Sequence, residues 1–351
     1  MARGTTGHDT SGQTERVVLS AVAASFRLGG VGQVTPIAEG LMNRNWRVAT
    51  ERGVFVIKQV VDVDAEQAVF QHRLATGLAG RGLPVPAPLP AAGGGTLARI
   101  NGRIYSCYGW ADGVHRRGVD LSLAECAEVG GLLAELHAAL ADLAPRPGPT
   151  RPEPVIETST VKGRIDRYLG LIEQVKDPDG FDRLARRRLV ERRELLERWA
   201  WLRPDEAAGC GPTGWVHGDF HHLNLLFDAG RVAGVVDWDR VKVWPYASEL
   251  ARSATLLFGH GDDRGLDLGR VAAFAAGYRR RCELPAEAVA VAVHRLWWER
   301  LGDFWQLAWH YERGDRSCDH LFVSSSALLA WWTAHREQVT EAFTRPTPPT
   351  D

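Results

Sequence analysis

The sequence has no apolar stretch long enough to span a bilayer, no G-x-x-x-x-G-K-[ST] motif and no C-x-x-C pair. The first absence leaves no candidate membrane-spanning helix, and the polar, glycine-rich opening MARGTTGHDTSGQTER carries no apolar core of a secretory signal. The second excludes a P-loop nucleotide site. Five scattered cysteines, Cys107, Cys126, Cys210, Cys282 and Cys318, are an odd number without motif spacing; they argue for reduced thiols and a cytoplasmic setting. Charge of one sign is lacking too, since 42 Lys and Arg face 43 Asp and Glu. No nucleic acid and no membrane surface is therefore an expected partner. No segment repeats.

What is present is a chain of 351 residues, 45% hydrophobic, enough to bury a core in two domains or two lobes. Residues 1–15 read as a mobile tail, and the proline-rich end, 346–351, as a frayed one. A short helix over VVLSAVAASFRL is followed from Val34 by β-type runs, VTPIAEG, NWRVAT and GVFVIKQV, the last two joined by a turn at Glu51-Arg52-Gly53. Asp64 to Leu78 has helical spacing, and the prolines of LPVPAPLP then forbid helix. Two more strand-like runs flank Asn101-Gly102, a strong hairpin signal. From Asp120, a plausible helix cap, helices dominate, with breaks at the proline-rich 146–154 and at Asp177-Pro178-Asp179-Gly180. One β-type hairpin interrupts them, with its turn at Ala229-Gly230. The expected class is α+β: an antiparallel-sheet lobe over 16–110 and a mainly helical lobe over 111–345.

The chemistry concentrates in WVHGDFHHLNLLF, residues 215–227. His217, Asp219, His221 and His222 resemble a zinc cage at first sight, yet a zinc hydrolase needs further ligands at consistent spacing. His137, His294 and His310 sit in helical patterns without it. A second H-G-D, at His260-Gly261-Asp262, has Asp267 rather than Asn five residues past its aspartate and no hairpin after it, so it reads as a loop. The run HRLWWERLGDFWQLAWHYERGD, 294–315, places Trp298, Trp305 and Trp309 near one helical face with Leu301. Core is one reading of that face; a wall that holds a cationic ligand, with Glu299, Asp303 and Glu312, is the other.

H-G-D-F-H-H-L-N at 217–224 with V-V-D-W-D at 235–239 resembles the aminoglycoside phosphotransferase family, small-molecule kinases of protein-kinase-like fold that include choline and homoserine kinases. Upstream, GLMNRNWRV is similar to its nucleotide-covering hairpin, FVIK to the strand with the phosphate lysine, GLPVPAPL to the segment after the lobe's helix, and YGWADG to the hinge. The resemblance covers about 34–260 and implies a two-lobed kinase-like fold, with ATP and Mg2+ serving transfer of a phosphoryl group to an alcohol. It makes Asp219 the catalytic base, Asn224 and Asp237 the metal ligands, with Asp239 a further carboxylate for metal or turn. Lys58 is the phosphate lysine; Glu66 is favoured over Gln71 to steady it. Asn43 and Asn45 lie over the phosphates, and Tyr108 and Trp110 against adenine. His222, Trp298, Glu299 and Asp303 are the candidates for the acceptor, an aminoglycoside-like antibiotic or a small metabolic alcohol such as homoserine or choline. A monomer or homodimer is expected. A protein-directed kinase and a nucleotide-binding pseudokinase remain as alternatives, with the zinc hydrolase a remote one.

Overall fold

A computed structural model describes residues 7–37, 43–146, 148, 153–262 and 264–345. The chain forms two compact units: one takes the described residues up to Arg116 with 139–145 and 217–242, the other takes most of the remainder. This is not the linear division at 110 that the sequence suggests, because 217–242 groups with the sheet. Local pairing explains it, since Val114 exchanges backbone hydrogen bonds with Phe227 and Val235 N donates to Pro84 O at 2.6 Å.

In the sheet unit, α1 (Gly7–Ser25) begins before Arg16, inside the stretch read as a tail. The remainder of that predicted tail, residues 1–6, and the predicted tail at 346–351 lie outside the described residues. The strands are β1 (Val31–Ile37), β2 (Arg44–Thr50), β3 (Gly53–Val60), β4 (Ala98–Ile100) and β5 (Arg103–Gly109), antiparallel in the order β1-β2-β3-β5-β4. Pro36, which has no N–H to give, accordingly falls on an edge strand. Asn101 and Gly102 both have positive φ, as a two-residue hairpin requires. Strand alternation then separates two faces. Trp46, Val48, Ile57, Tyr105 and Cys107 pack against Leu19, Val22 and Phe26 of α1. Asn45, Val56, Lys58 and Tyr108, paired across the ladder, point the other way. That second face adjoins α2 (Ala65–Gly80), capped by Asp64, whose side chain accepts from Gln67 N at 2.8 Å.

In the helical unit, most of α3 (Leu123–Leu143) is followed by α4 (Thr158–Glu173) and α5 (Gly180–Trp199). The cap of α3 is Ser122 rather than Asp120. Its hydroxyl accepts from Glu125 N while Glu125 reaches back to Ser122 N, a reciprocal S-x-x-E box. The predicted break at 177–180 becomes a similar box at Asp179 and Asp182. Strands β6 (Thr213–Val216) and β9 (Lys242–Pro245) form a small sheet; between them in sequence, and in the first unit, β7 (Leu225–Asp228) and β8 (Arg231–Val235) form a hairpin. The later helices are α6 (Tyr246–Phe258), α7 (Leu268–Arg279), α8 (Ala286–Leu301), α9 (Trp305–Arg313), α10 (Asp319–Ala334) and α11 (Arg336–Thr344). His137 is locked in their core between Glu249 at 2.6 Å and Tyr278 OH at 2.7 Å, and its ring stacks on Tyr246. The five cysteines are free thiols, and no described helix is long and apolar enough to cross a membrane.

Candidate active site

Lys58 emerges from β3 toward α2 and ends between two carboxylates. Its Nζ lies 2.9 Å from Asp237 Oδ1 and 2.6 Å from Asp239 Oδ2. Burial alone would lower the Lys58 pKa; Asp237, then Asp239, reverse that and hold it above the ordinary lysine value. Burial also raises both carboxyls and the ammonium opposes it. Asp237 ends below its ordinary value, whereas Asp239, facing Asp237 as well, ends above. The two aspartates differ in exposure, 41% for the Asp237 side chain against 14% for Asp239, so Asp237 is the one open to a ligand. Asn43 Nδ2 donates to Asp239 Oδ2, and Gln71 Nε2 donates to the Asp239 backbone oxygen at 2.9 Å.

Lys58, Gln71, Asp237 and Asp239 line a cavity of about 200 Å³ with Asn45, Val56, Tyr108, Trp110 and Asn224. Tyr108 hydroxyl and Thr96 hydroxyl bracket His72, at 3.0 and 2.6 Å from its two ring nitrogens. Burial, and next the Lys58 charge, push the His72 pKa down to about 4. Trp110 N donates to Val54 O at 3.0 Å, and the Arg47 guanidinium lies 5.0 Å from the centre of its ring.

The turn after β6 is built around buried His217. Its Nδ1 accepts from Asp219 N at 3.2 Å, which leaves the proton on Nε2, 3.0 Å from Val236 O. One imidazole thus fastens the Asp219 turn to the strand leading into Asp237. Gly218 has φ +83°, and a Cβ there would overlap Arg240 O, so only glycine fits. Asn224 Nδ2 donates to Asp219 O at 2.8 Å, and Val236 N donates to Asn224 O at 3.0 Å. The amide nitrogen being so used, Asn224 Oδ1 is the free end. With the Asp237 carboxylate it makes a hard oxygen donor set that fits a divalent cation such as Mg2+. His221 Nε2 lies 3.3 Å from Asp219 Oδ2. His222 stands half-buried on the adjoining 3-10 turn, its ring 5.8 Å from that of His221. Among the described residues no three His, Cys, Asp or Glu side chains form a metal-binding group, which removes the support for a zinc cage.

Two sequence expectations need correction. Glu66 is exposed in the first turn of α2 and makes no described contact with Lys58; Gln71, one and a half turns on, faces the site instead. Trp298 is fully buried and donates to Ile156 O at 3.0 Å, so it belongs to the helical core and presents nothing to an acceptor. The tryptophan run is two helices, not one, because α8 ends at Leu301 and α9 starts at Trp305. Glu299 and Asp303 remain exposed and line a cavity of the helical unit with Tyr168 and Trp305. Gly40–Met42 of the expected phosphate-covering hairpin fall outside the described residues. The pairing of Lys58 with Asp239, not foreseen from the sequence, had one signal: a second carboxylate in D-W-D.

The profile of the phosphotransferase enzyme family matches residues 33–284. Homoserine kinase of Pseudomonas aeruginosa (strain UCBPP-PA14) is 30% identical over 304 residues, covering 82% of this chain and 86% of the relative. Homoserine kinase of Beijerinckia indica subsp. indica is 29% identical over 278 residues, 78% of each. Among solved structures, amicoumacin kinase in complex with AMP-PNP, Ca2+ and Ami has a TM-score of 0.59 at 18% identity and covers 98% of both chains. The fold is accordingly the α+β, protein-kinase-like one.

Proposed function

The chain belongs to the phosphotransferase enzyme family, and from that premise we propose that it moves the γ-phosphate of ATP to the hydroxyl of a small, amine-bearing alcohol of the homoserine type. The observation that carries this reading is the buried Lys58 held between Asp237 and Asp239 at the wall of the cavity that Asn224 also lines. Phosphoryl transfer asks little covalent chemistry of a protein; it asks for cations on the phosphates and a carboxylate near the acceptor.

Asp219 takes the proton of the acceptor hydroxyl, oriented by the His217 turn and by the Asn224 amide. Lys58 turns its ammonium to the phosphates, with Asn43 and Asn45 at the same mouth, and Tyr108 and Trp110 flank the base. Asn224 and Asp237 would hold Mg2+, which when bound would neutralise phosphate charge, and Asp239 is the further carboxylate paired with Lys58. Glu299 and Asp303 give their own cavity of the helical unit a negative charge that suits an amine. The homoserine kinase relatives support that choice of acceptor, since alignment to them extends along most of both chains.

Purified protein with ATP and Mg2+ should convert homoserine to a product heavier by one phosphate, at a rate well above that for choline or an aminoglycoside. Absence of a phosphorylated product from every alcohol tried would sink the reading. A phosphorylated aminoglycoside without phosphohomoserine would retain the reaction and overturn the acceptor.

A further inference from the structure

The helical unit contains a second cavity, of about 400 Å³, lined by α8, β9, the start of α6, residues 209–211 and Thr213 of β6. Arg295 of α8 is on its wall and only 9% exposed. Its Nε has no hydrogen-bond partner, one Nη reaches Glu153 O at 3.3 Å, and among the described residues no carboxylate pairs with it. Arg192 of the same unit is more deeply buried, but it is closed in by Phe304 and Phe322 and donates to Asp303 O and Ser326 Oγ. It lines none of the described cavities. Among the described residues, Arg295 is a buried guanidinium that lines a cavity.

A guanidinium stays charged at every physiological pH, and its burial without a counter-ion is costly unless something occupies the space beside it. Its planar fork of N–H donors fits a carboxylate in bidentate fashion. Thr213 and Ser248 add hydroxyls to the same wall, and Glu299, one turn beyond Arg295 on α8, adds negative charge at the exposed end. We propose that this cavity binds a small amino acid or hydroxy acid, with the carboxylate forked on Arg295. The probes below are chosen from the homoserine-type reading of the function, but the readout does not depend on phosphoryl transfer.

The test is calorimetric titration of the full chain, without nucleotide, with L-homoserine, with homoserinol, in which an alcohol replaces the carboxylate, and with L-α-aminobutyrate, which lacks the hydroxyl. L-Homoserine and L-α-aminobutyrate should bind, and homoserinol at least about tenfold more weakly. Arg295→Gln should reduce L-homoserine to the affinity of homoserinol, and Arg295→Lys should recover only part. Equal binding of homoserine and homoserinol to the unaltered protein would overturn the proposal without recourse to any variant that fails to fold. Two sources of the carboxylate are separable kinetically: L-α-aminobutyrate that raises the acceptor KM alone marks the acceptor's own carboxylate, and a change in kcat at saturating acceptor marks a separate effector. Either outcome keeps the site. If homoserine is phosphorylated while Arg295→Gln leaves all binding unchanged, this proposal falls and the functional reading stands. If only carboxylate-free alcohols are phosphorylated while L-α-aminobutyrate still requires Arg295, the acceptor assignment falls and the site stands.

Discussion

Asp237 and Ala229 both hold left-handed backbone, at φ +61° and +45°, a conformation that costs a non-glycine residue on the order of 1–3 kcal/mol. At Asp237 the strain accompanies a carboxylate aimed at Lys58; at Ala229 it accompanies only a two-residue turn between Asp228 and Arg231. The two positions should therefore respond in opposite ways. Ala229→Gly should stabilise the protein by about 0.5–1 kcal/mol in urea unfolding, with activity unchanged. Asp237→Asn should preserve the fold yet lower kcat by roughly 10²-fold or more, which steady-state kinetics with ATP would measure. For Asp219→Asn, removal of the base should cost about 10²- to 10⁴-fold in kcat at unchanged melting temperature; full activity would refute the assignment. His72 gives a pH dependence. Its pKa, about 4 in the folded protein, lies below the ordinary 6.5, so the stability it contributes is present above pH 6.5 and is lost as pH falls through 4. The full loss is about 3 kcal/mol, and the melting curve of His72→Gln should be flatter than that of the parent across that window. The grouping of Asp219, Asn224 and Asp237, the residues proposed for catalysis and metal, was legible because H-G-D…N and D-W-D place their side chains by short-range turn geometry. Gln71 over Glu66 was not, because which helical residue meets Lys58 depends on the rotation of α2 about its axis, a tertiary quantity.

Hairpins and caps carry their own local instructions, and most of those elements match their sequence signals, although the cap of α3 fell to Ser122 rather than Asp120. Asn101-Gly102 takes the expected positive φ at both positions, and Asp64 and Asp179 cap the helices that follow them. Elements whose limits depend on packing were harder to read. The first residues of α1, GHDTSGQT, have no apolar period, so nothing local marks them as helix. In the tryptophan run, a helical period continues through Leu301 and Trp305, but Gly302 and Asp303 let the chain turn and Phe304 buries itself, leaving Trp297 and Trp298 in the core and Trp305 exposed. Glycine has a comparable hidden role between α3 and α7, where a Cβ on Gly277 would overlap Ala127 O and one on Gly130 would overlap Phe274 O. Backbone meets backbone there, and no flexible atom can yield. Gly277→Ala should accordingly destabilise by about 1–3 kcal/mol by forcing the helices apart, read as a lower urea midpoint; an unchanged midpoint would show that the crossing is loose.

At the scale of the whole molecule, the residues proposed for nucleotide and metal are far apart in sequence but belong to one compact unit: Asn43, Lys58, Tyr108, Asn224 and Asp237 all fall within its three segments. The linear order hid this, since 217–242 follows some hundred residues of mostly helical chain, and it is the β7–β8 hairpin pairing with 114 and with Pro84 that returns it to the sheet. The consequence is a discontinuous footprint. A ligand that binds the folded state at about a hundred times its Kd adds about 2.7 kcal/mol of stability, worth roughly 4 °C in melting temperature for a chain of this length. Locally, the same ligand suppresses the opening of the segments it touches. Hydrogen exchange with AMP-PNP and Mg2+ should therefore slow amides in 43–60, 104–114 and 217–239 while leaving α4, α5, α10 and α11 near their unliganded rates. Omission of the metal should weaken protection chiefly around Asn224 and Asp237, where Oδ1 and a carboxylate are the proposed ligands, and less along β3. Protection spread evenly across both units, or absent from 217–239, would contradict the assignment of the nucleotide to the sheet unit whatever the acceptor proves to be.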